Sequence, residues 1–474
     1  MSSSPALFPA DLYARRRQGL IAQLHAAGAR GLVLIPGLLE SPMNYRDNTY
    51  EFRQDASFLY YAGQGQPGLA LLIDLDSGHQ ALHGQDIGID DLVWTGPLPS
   101  VAERAAAVGL SAHGPLTAVP AALQAARDAG RPVHHLPVYR GESRLQMAAW
   151  LGCNDAALDA GVSLPLVRAV IAQRAVKAPE EIAEIEDALQ VTHDLHVLAM
   201  RMSRPGVVEQ EVVAAMEGLA LARGRRLAYN SIFTSRGEIL HNHDHSVRLK
   251  GGELIVNDTG ANSPRGYASD ITRTLCVGGR FTGLQADLYD LVLAAQQAAI
   301  ARVAPGVPYR EVHEEACRVM VRGMVDLGFM RGDPAEAVAL GAHAIFFQCG
   351  TGHMMGLDVH DMEGLGEAEV GYGQGYERSP LFGHKSLRLA RPLQAGFVVT
   401  IEPGVYINRW LTAQWQAEGR HAGFIDYAAF ERHADFGGIR IEDDVLVTPE
   451  GRRELGPLIP RERAAVEALC GEGR

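Results

Sequence analysis

At 474 residues the chain exceeds what one ordinary core organises, and two domains are expected. A hydrophobic share of 47% with 21% charged residues is that of a soluble globular chain, and no apolar run reaches the roughly 20 residues of a membrane helix. The net charge of −13 argues against general nucleic-acid binding, which needs clustered Lys and Arg against phosphate.

The opening MSSSPALFPADLYARRR lacks the charged start and long apolar middle of a secretion signal. Cys153, Cys276, Cys317, Cys349 and Cys470 are widely spaced, with no CxxC pair and no disulfide framework, so a cytoplasmic location is expected. ARRRQGLIAQLHAAG predicts a helix, followed by apolar strands in GLVLIPG and GLALLIDLDSG. VPAALQAARDAG predicts a further helix before a short RPVHHLP strand, completing a small α/β domain. The pattern changes around residues 165–178. Beyond it Pro179, Glu180 and Glu181 open a helix with Ile182, Ile185 and Leu189 on one face, the start of a second domain.

Strands are predicted in the second domain at 252–260, 273–279, 396–407 and 438–448, with helices at 284–303 and 309–328. Residues 364–386 read as a long loop, whose glycines lack the Gly-Lys-Ser/Thr of a phosphate loop.

Five donors stand at strand ends or beside glycine turns: Asp258 in LIVND, Asp270 in YASDITRT, His353 in GTGH, Glu402 in TIEPG and Glu442 in GIRIEDD. Singly, each has a plainer reading as a turn former, a solvated acid or a core histidine. Together, four carboxylates and one imidazole suit two divalent ions, because hard oxygen donors favour manganese-type ions and imidazole accommodates zinc or cobalt. A pair of ions also needs a bridging carboxylate to screen their repulsion, and it can activate water for hydrolysis.

DTGANSPRGYASDITRT, GTGHMMGLDVHD, TIEPGVYI and GIRIEDD resemble, in this order, the signatures of the pita-bread metallopeptidases. Within that clan they are similar to the proline-specific branch (peptidase family M24B), aminopeptidase P and prolidase. YEFRQDASFLYYAGQGQPG resembles the aminopeptidase P amino-terminal domain, so the likeness spans nearly the whole chain. The resemblance implies an α/β (α+β) architecture: an aminopeptidase P-like amino-terminal α/β domain over residues 1–174 and a pita-bread dinuclear metallopeptidase domain over 175–474.

By the same resemblance Asp258, Asp270, His353, Glu402 and Glu442 match the ligands of two divalent ions, Mn2+ first, with Zn2+ or Co2+ as alternatives. Asp270 and Glu442 match the bridging carboxylates, and Glu402 also matches the acceptor of a proton from the metal-bound water. His360 and His241 match substrate-facing histidines, and Arg440 matches a basic residue beside the site. Met354 and Met355 are expected to pack, and His243 and His245 to lie in a solvated loop.

The implied activity is hydrolysis of the Xaa-Pro bond at the N-terminus of peptides by a metal-bridged hydroxide, in a homodimer or homotetramer. Prolidase, acting on Xaa-Pro dipeptides, is the alternative. Arg388 stands where prolidases place an arginine against the proline carboxylate, and the segment between Glu402 and Arg440 is prolidase-like. The amino-terminal domain and the YASDITRT region favour aminopeptidase P. A non-catalytic peptide-binding module, or creatinase-like metal-free hydrolysis, is disfavoured by the filled ligand positions. Two departures stand out: Asp258 and Asp270 are one residue further apart than is usual, and Cys349 replaces the first histidine of His-Gly-x-x-His.

Overall fold

The structure, a computed structural model, describes residues 7–472. It divides into two compact units: one runs up to Arg174 and takes in Met362–Glu369, and the other comprises Ala175–Asp361 and the chain from Val370 onward. Among the described residues no helix is long and apolar enough to cross a membrane.

The first unit is built on a five-stranded mixed sheet in the order Ala112–Pro115, Gln80–Gly84, Ala70–Asp74, Leu32–Pro36, Val133–His134. Its two central strands, the apolar runs of GLVLIPG and GLALLIDLDSG, pair antiparallel with Leu34 opposite Leu72. Leu32, Leu34, Ala70 and Leu72 bury one sheet face against Val119, Leu123 and Ala126 of helix Ala118–Asp128 and Met147 of helix Gly141–Leu151. Alternate strand residues facing the same way make this face possible. Helix Ala10–Ala26 brings in Arg17, whose buried guanidinium donates to Gln80 Oε1 and the carbonyls of Tyr61 and Val108, each at 2.8 Å. Those acceptors offset the cost of burying its charge.

The second unit opens with helix Pro179–Met202, started by Pro179 and by Glu181, whose carboxylate accepts the Ala178 N–H at 3.0 Å. Its sheets are small. Thr272–Cys276, Leu254–Asp258 and Ile232–Thr234 form one antiparallel sheet. Val398–Ile401, Asp443–Thr448 and Gly451–Glu454 form a second, and Gly404–Ile407 pairs with Gly437–Arg440 in a third. Helices Leu284–Arg302 and Tyr309–Asp326 pack in the same unit.

The structure corrects the single strands predicted at 396–407 and 438–448: each is two strands. Pro403 has no N–H to give a ladder. The first chain therefore leaves its partner Asp443–Thr448 after Ile401 and resumes against Gly437–Arg440. The second chain makes the reverse exchange through Ile441 and Glu442. Glu402 and Glu442 occupy the two gaps, where neither side chain has to obey the alternation of a strand. The 364–386 segment, predicted as loop, contains the short helix Glu367–Gly371 and a 3-10 turn at His384–Ser386.

Candidate active site

Asp258 ends its strand directly opposite Thr272, and Asp270 lies two residues before that partner strand begins. Their side chains converge on one hydroxyl: Tyr229 Oη lies 2.6 Å from Asp258 Oδ1 and 2.6 Å from Asp270 Oδ1. Between the two aspartates the chain makes a turn, where the Ser263 carbonyl accepts from Gly266 and an isolated bridge joins Asn262 to Ala268.

His353 enters from the glycine-rich stretch. A Cβ on Gly352 would lie 2.1 Å from the Thr400 carbonyl oxygen, so only glycine permits this approach of the chain to the Val398–Ile401 strand. His353 Nδ1 lies 3.0 Å from the Met354 carbonyl, which must accept from it, and Nε2 is left facing Asp270 Oδ2 at 3.3 Å and Glu402 Oε1 at 3.9 Å. That is the arrangement of a ligating histidine, with one nitrogen fixed by a carbonyl and the other presented to the site. One donor atom each of Asp270, His353 and Glu442 lies within 4.8 Å of the others.

Glu442 accepts from Thr272 Oγ1 at 2.6 Å, and its N–H donates to the Thr272 carbonyl. Arg440, one turn of the crossing away, is buried. It donates to Asp258 Oδ2 at 2.5 Å, Thr272 Oγ1 at 3.0 Å and Tyr406 Oη at 3.0 Å. His360 is half-buried, its ring 4.1 Å from that of His353. His241 is exposed at its outer edge, and partial desolvation, followed by the positive charges of Arg440 and Arg388, holds it below its ordinary pKa, so all three lie within electrostatic reach. Met354 and Met355 are buried packing residues, while His243 and His245 tie their loop to the carbonyls of Ser231 and Phe233.

The electrostatics point to cations. Burial pushes Glu402 up to about 7 and, with the neighbouring carboxylates, Glu442 well above the carboxylate range. Asp258 is raised by burial even with Arg440 against it. Burial, the largest single influence, depresses His353, but the Asp270 and Glu402 carboxylates and the Met354 carbonyl together outweigh it and lift the imidazole to about 9. A set of buried acids that cannot all be charged by themselves, mixed with one imidazole, fits divalent ions whose charge replaces the missing protons.

Several participants were not singled out from the chain. Tyr229 lies outside every quoted signature, and Tyr406, though inside TIEPGVYI, is given no role there. Asp444 takes the Asp270 N–H on Oδ2 at 3.1 Å, and Lys177 pairs with Asp361 at 2.9 Å, both side chains buried. The acids of GIRIEDD divide three ways, with Glu442 in the site, Asp443 on Arg273 and Arg461, and Asp444 beneath Asp270. The replaced histidine position, Cys349, is a thiol pushed up to about 12 by burial and then by Glu402, with Tyr406 as its hydrogen-bond partner.

The model of metallopeptidase family M24 matches residues 183–449, and that of the aminopeptidase P N-terminal domain matches residues 13–134. The chain is 30% identical over 473 positions to a probable Xaa-Pro aminopeptidase of Ajellomyces capsulatus, covering 96% of each chain. It is 30% identical over 484 positions to the Xaa-Pro aminopeptidase of Escherichia coli, covering 98% of each. Among solved structures, Pseudomonas aeruginosa aminopeptidase PepP superposes with a TM-score of 0.79 at 28% identity over 98% of both chains. Zinc-substituted E. coli aminopeptidase P in complex with product gives 0.79 at 28% identity over 99% of this chain and 100% of that one.

Proposed function

The chain belongs to metallopeptidase family M24, and from that premise we propose how its residues carry the reaction. It is a metal-dependent exopeptidase that hydrolyses the Xaa-Pro bond at the amino end of peptides. The observation that supports the residue assignment is the meeting of Asp270, His353 and Glu442, with Asp258 joined to Asp270 through Tyr229 and Glu402 facing His353, in a buried group of acids short of positive charge.

In this reading those five residues hold two divalent ions, with Mn2+ favoured by the oxygen-rich set and Zn2+ or Co2+ admitted by His353. Bound there, the ions supply Lewis acidity and lower the pKa of water. Glu402 takes a proton from the attacking water and delivers it to the proline nitrogen as the C–N bond breaks. His360 and His241 donate hydrogen bonds to the peptide as negative charge develops on its carbonyl oxygen. Arg440 positions Asp258, and Tyr229 spans both aspartates.

Arg388 is assigned to the substrate's far end, where its charge reaches the His241 side of the site. The five free cysteines accord with a reducing cytoplasm, and the proposed assembly is a homodimer or homotetramer. The test is product mapping by mass spectrometry on Xaa-Pro-Xaa-Xaa peptides against Xaa-Pro dipeptides. Release of the single N-terminal residue from the longer peptides is expected. A protein confined to dipeptides is a prolidase and overturns this reading.

A further inference from the structure

The catalytic unit holds a second cluster of metal-ligating side chains, outside the carboxylate site and different in chemistry. Helix Tyr309–Asp326 carries His313 and Cys317 four residues apart, and so on one face. Both are fully buried, and Cys317 Sγ lies 3.6 Å from His313 Nε2. His313 Nδ1 is engaged with Thr351 Oγ1 at 2.8 Å, which leaves Nε2 turned toward the thiol.

His343 arrives from the 3-10 turn Ala342–Ile345, with its ring centroid 6.0 Å from that of His313. One ligand atom each of His313, Cys317 and His343 lies within 4.8 Å of the others. His343 is 0% exposed, yet neither of its ring nitrogens has a hydrogen-bond partner. Native interiors rarely leave such a group unsatisfied, and a ligand is one of the things that satisfies it. The rest of the wall gives the nitrogens little to bond. His384 packs edge-on at 4.9 Å with its own Nε2 on the Val338 carbonyl, and Phe347 lies against His313.

We infer that His313, Cys317 and His343 form a second metal site, for a thiophilic d10 ion, Zn2+ or Cu+. Two imidazoles and one thiol are the donors that soft ions select, whereas the carboxylate site selects hard ones. Binding forms one metal–sulfur and two metal–nitrogen bonds, and the Cys317 thiol proton leaves to solvent. The imidazoles are already in the neutral, ligating form, because burial holds His313 down to about 3 and His343 well below its ordinary value. The cluster is linked to the catalytic strand crossing through Thr351, whose carbonyl accepts the Glu402 N–H at 2.7 Å. This inference rests on residues separate from the peptidase assignment, and it stands or falls separately.

The experiment uses the full-length protein reconstituted with Mn2+ and then titrated with Co2+, a coloured stand-in for Zn2+, with Cu+ in a parallel arm. A thiolate-to-cobalt charge-transfer band in the near ultraviolet is expected, saturating at one ion per chain. Cys317→Ser should abolish the band, and Cys349→Ser, next to the peptidase site, should keep it. His343→Leu should weaken Co2+ binding by at least about tenfold. A wild type with no band and no Cu+ bound beyond that of Cys317→Ser, or a band that survives Cys317→Ser, overturns the inference. If Cys317→Ser fails to fold, X-ray absorption at the zinc edge of the Zn2+-loaded wild type decides: a sulfur neighbour is required, and a shell of nitrogen and oxygen alone contradicts the site.

Discussion

Arg440 and Asp258 meet at 2.5 Å, Nη2 to Oδ2, and the guanidinium is shared with Thr272 Oγ1 and Tyr406 Oη. One planar fork thus fixes a proposed metal ligand, the threonine that supports Glu442, and a tyrosine from the opposite strand crossing. Lysine offers a point charge with no such fork. Arg440→Lys is expected to keep the fold and lower kcat/KM by about 10- to 100-fold, as loss of support around metal ligands typically does. Steady-state kinetics beside a circular dichroism spectrum check it. Unchanged kcat/KM would make Arg440 purely structural.

In the proposed division of work between the two histidines of CGTGHMMGLDVHD, His353, with one nitrogen turned onto Asp270 and the other fixed by a carbonyl, holds metal, and His360 faces the peptide. His360→Ala should leave metal content near that of the wild type while reducing turnover. Glu442→Gln should lower turnover by at least about 100-fold, since a shared negative ligand is lost from the water-activating centre. Metal analysis of both variants is the check, and a His360→Ala protein stripped of metal contradicts the division.

The pH dependence of stability follows from the same acids. Glu402 rises from an ordinary 4.5 to about 7 in the fold, and His353 from 6.5 to about 9. A group raised on folding stabilises the native state while protonated, so its contribution is complete below the unfolded value and lost as pH rises through the folded one. The buried neutral histidines His196 and His313, lowered to about 3, act with the opposite sign but only below their unfolded value of 6.5. Between pH 6.5 and 9 the metal-free protein should therefore lose thermal stability, and saturating Mn2+ should flatten the loss. Thermal unfolding with and without chelator measures it, and a metal-free Tm that rises across that window contradicts the charge arrangement.

Arg388 should discriminate between substrates. A charge-assisted bond to a free proline carboxylate is worth about 1.5–3 kcal/mol, or roughly 10- to 150-fold in kcat/KM. Arg388→Ala should cost Xaa-Pro dipeptides that much more than tripeptides, whose carboxylate lies one residue further out. An equal response by both substrates removes Arg388 from the binding site.

The local parts of this architecture were legible in the chain. The apolar runs at Leu32–Pro36, Ala70–Asp74 and Leu254–Asp258 read as strands because they are bounded by turn residues, and Pro179 with its glutamates marks a helix start in plain view. Five donors stood out because each sits beside a glycine or at a strand end. What escaped was non-local. Tyr229 lies 29 residues before Asp258 with nothing in LAYNSIF to announce it, and it reaches the site only because Ile232–Thr234 pairs with Leu254–Asp258. The breaks at Pro403 and Ile441 were hidden inside apolar runs, since a change of strand partner leaves the hydrophobic pattern intact. His313 and Cys317 look like core residues of an amphipathic helix until His343 is brought beside them from another segment.

In the proposed reading, Asp258, Asp270, His353, Glu402 and Glu442 hold the ions that make this chain a peptidase. Equilibrium dialysis of the chelated protein against Mn2+, with Xaa-Pro-Xaa hydrolysis followed on the same samples, tests it most directly. Two ions per chain at the oxygen-rich site are expected, with activity abolished without them and recovered in step with occupancy. Full activity in a chelated protein that binds no metal would contradict it.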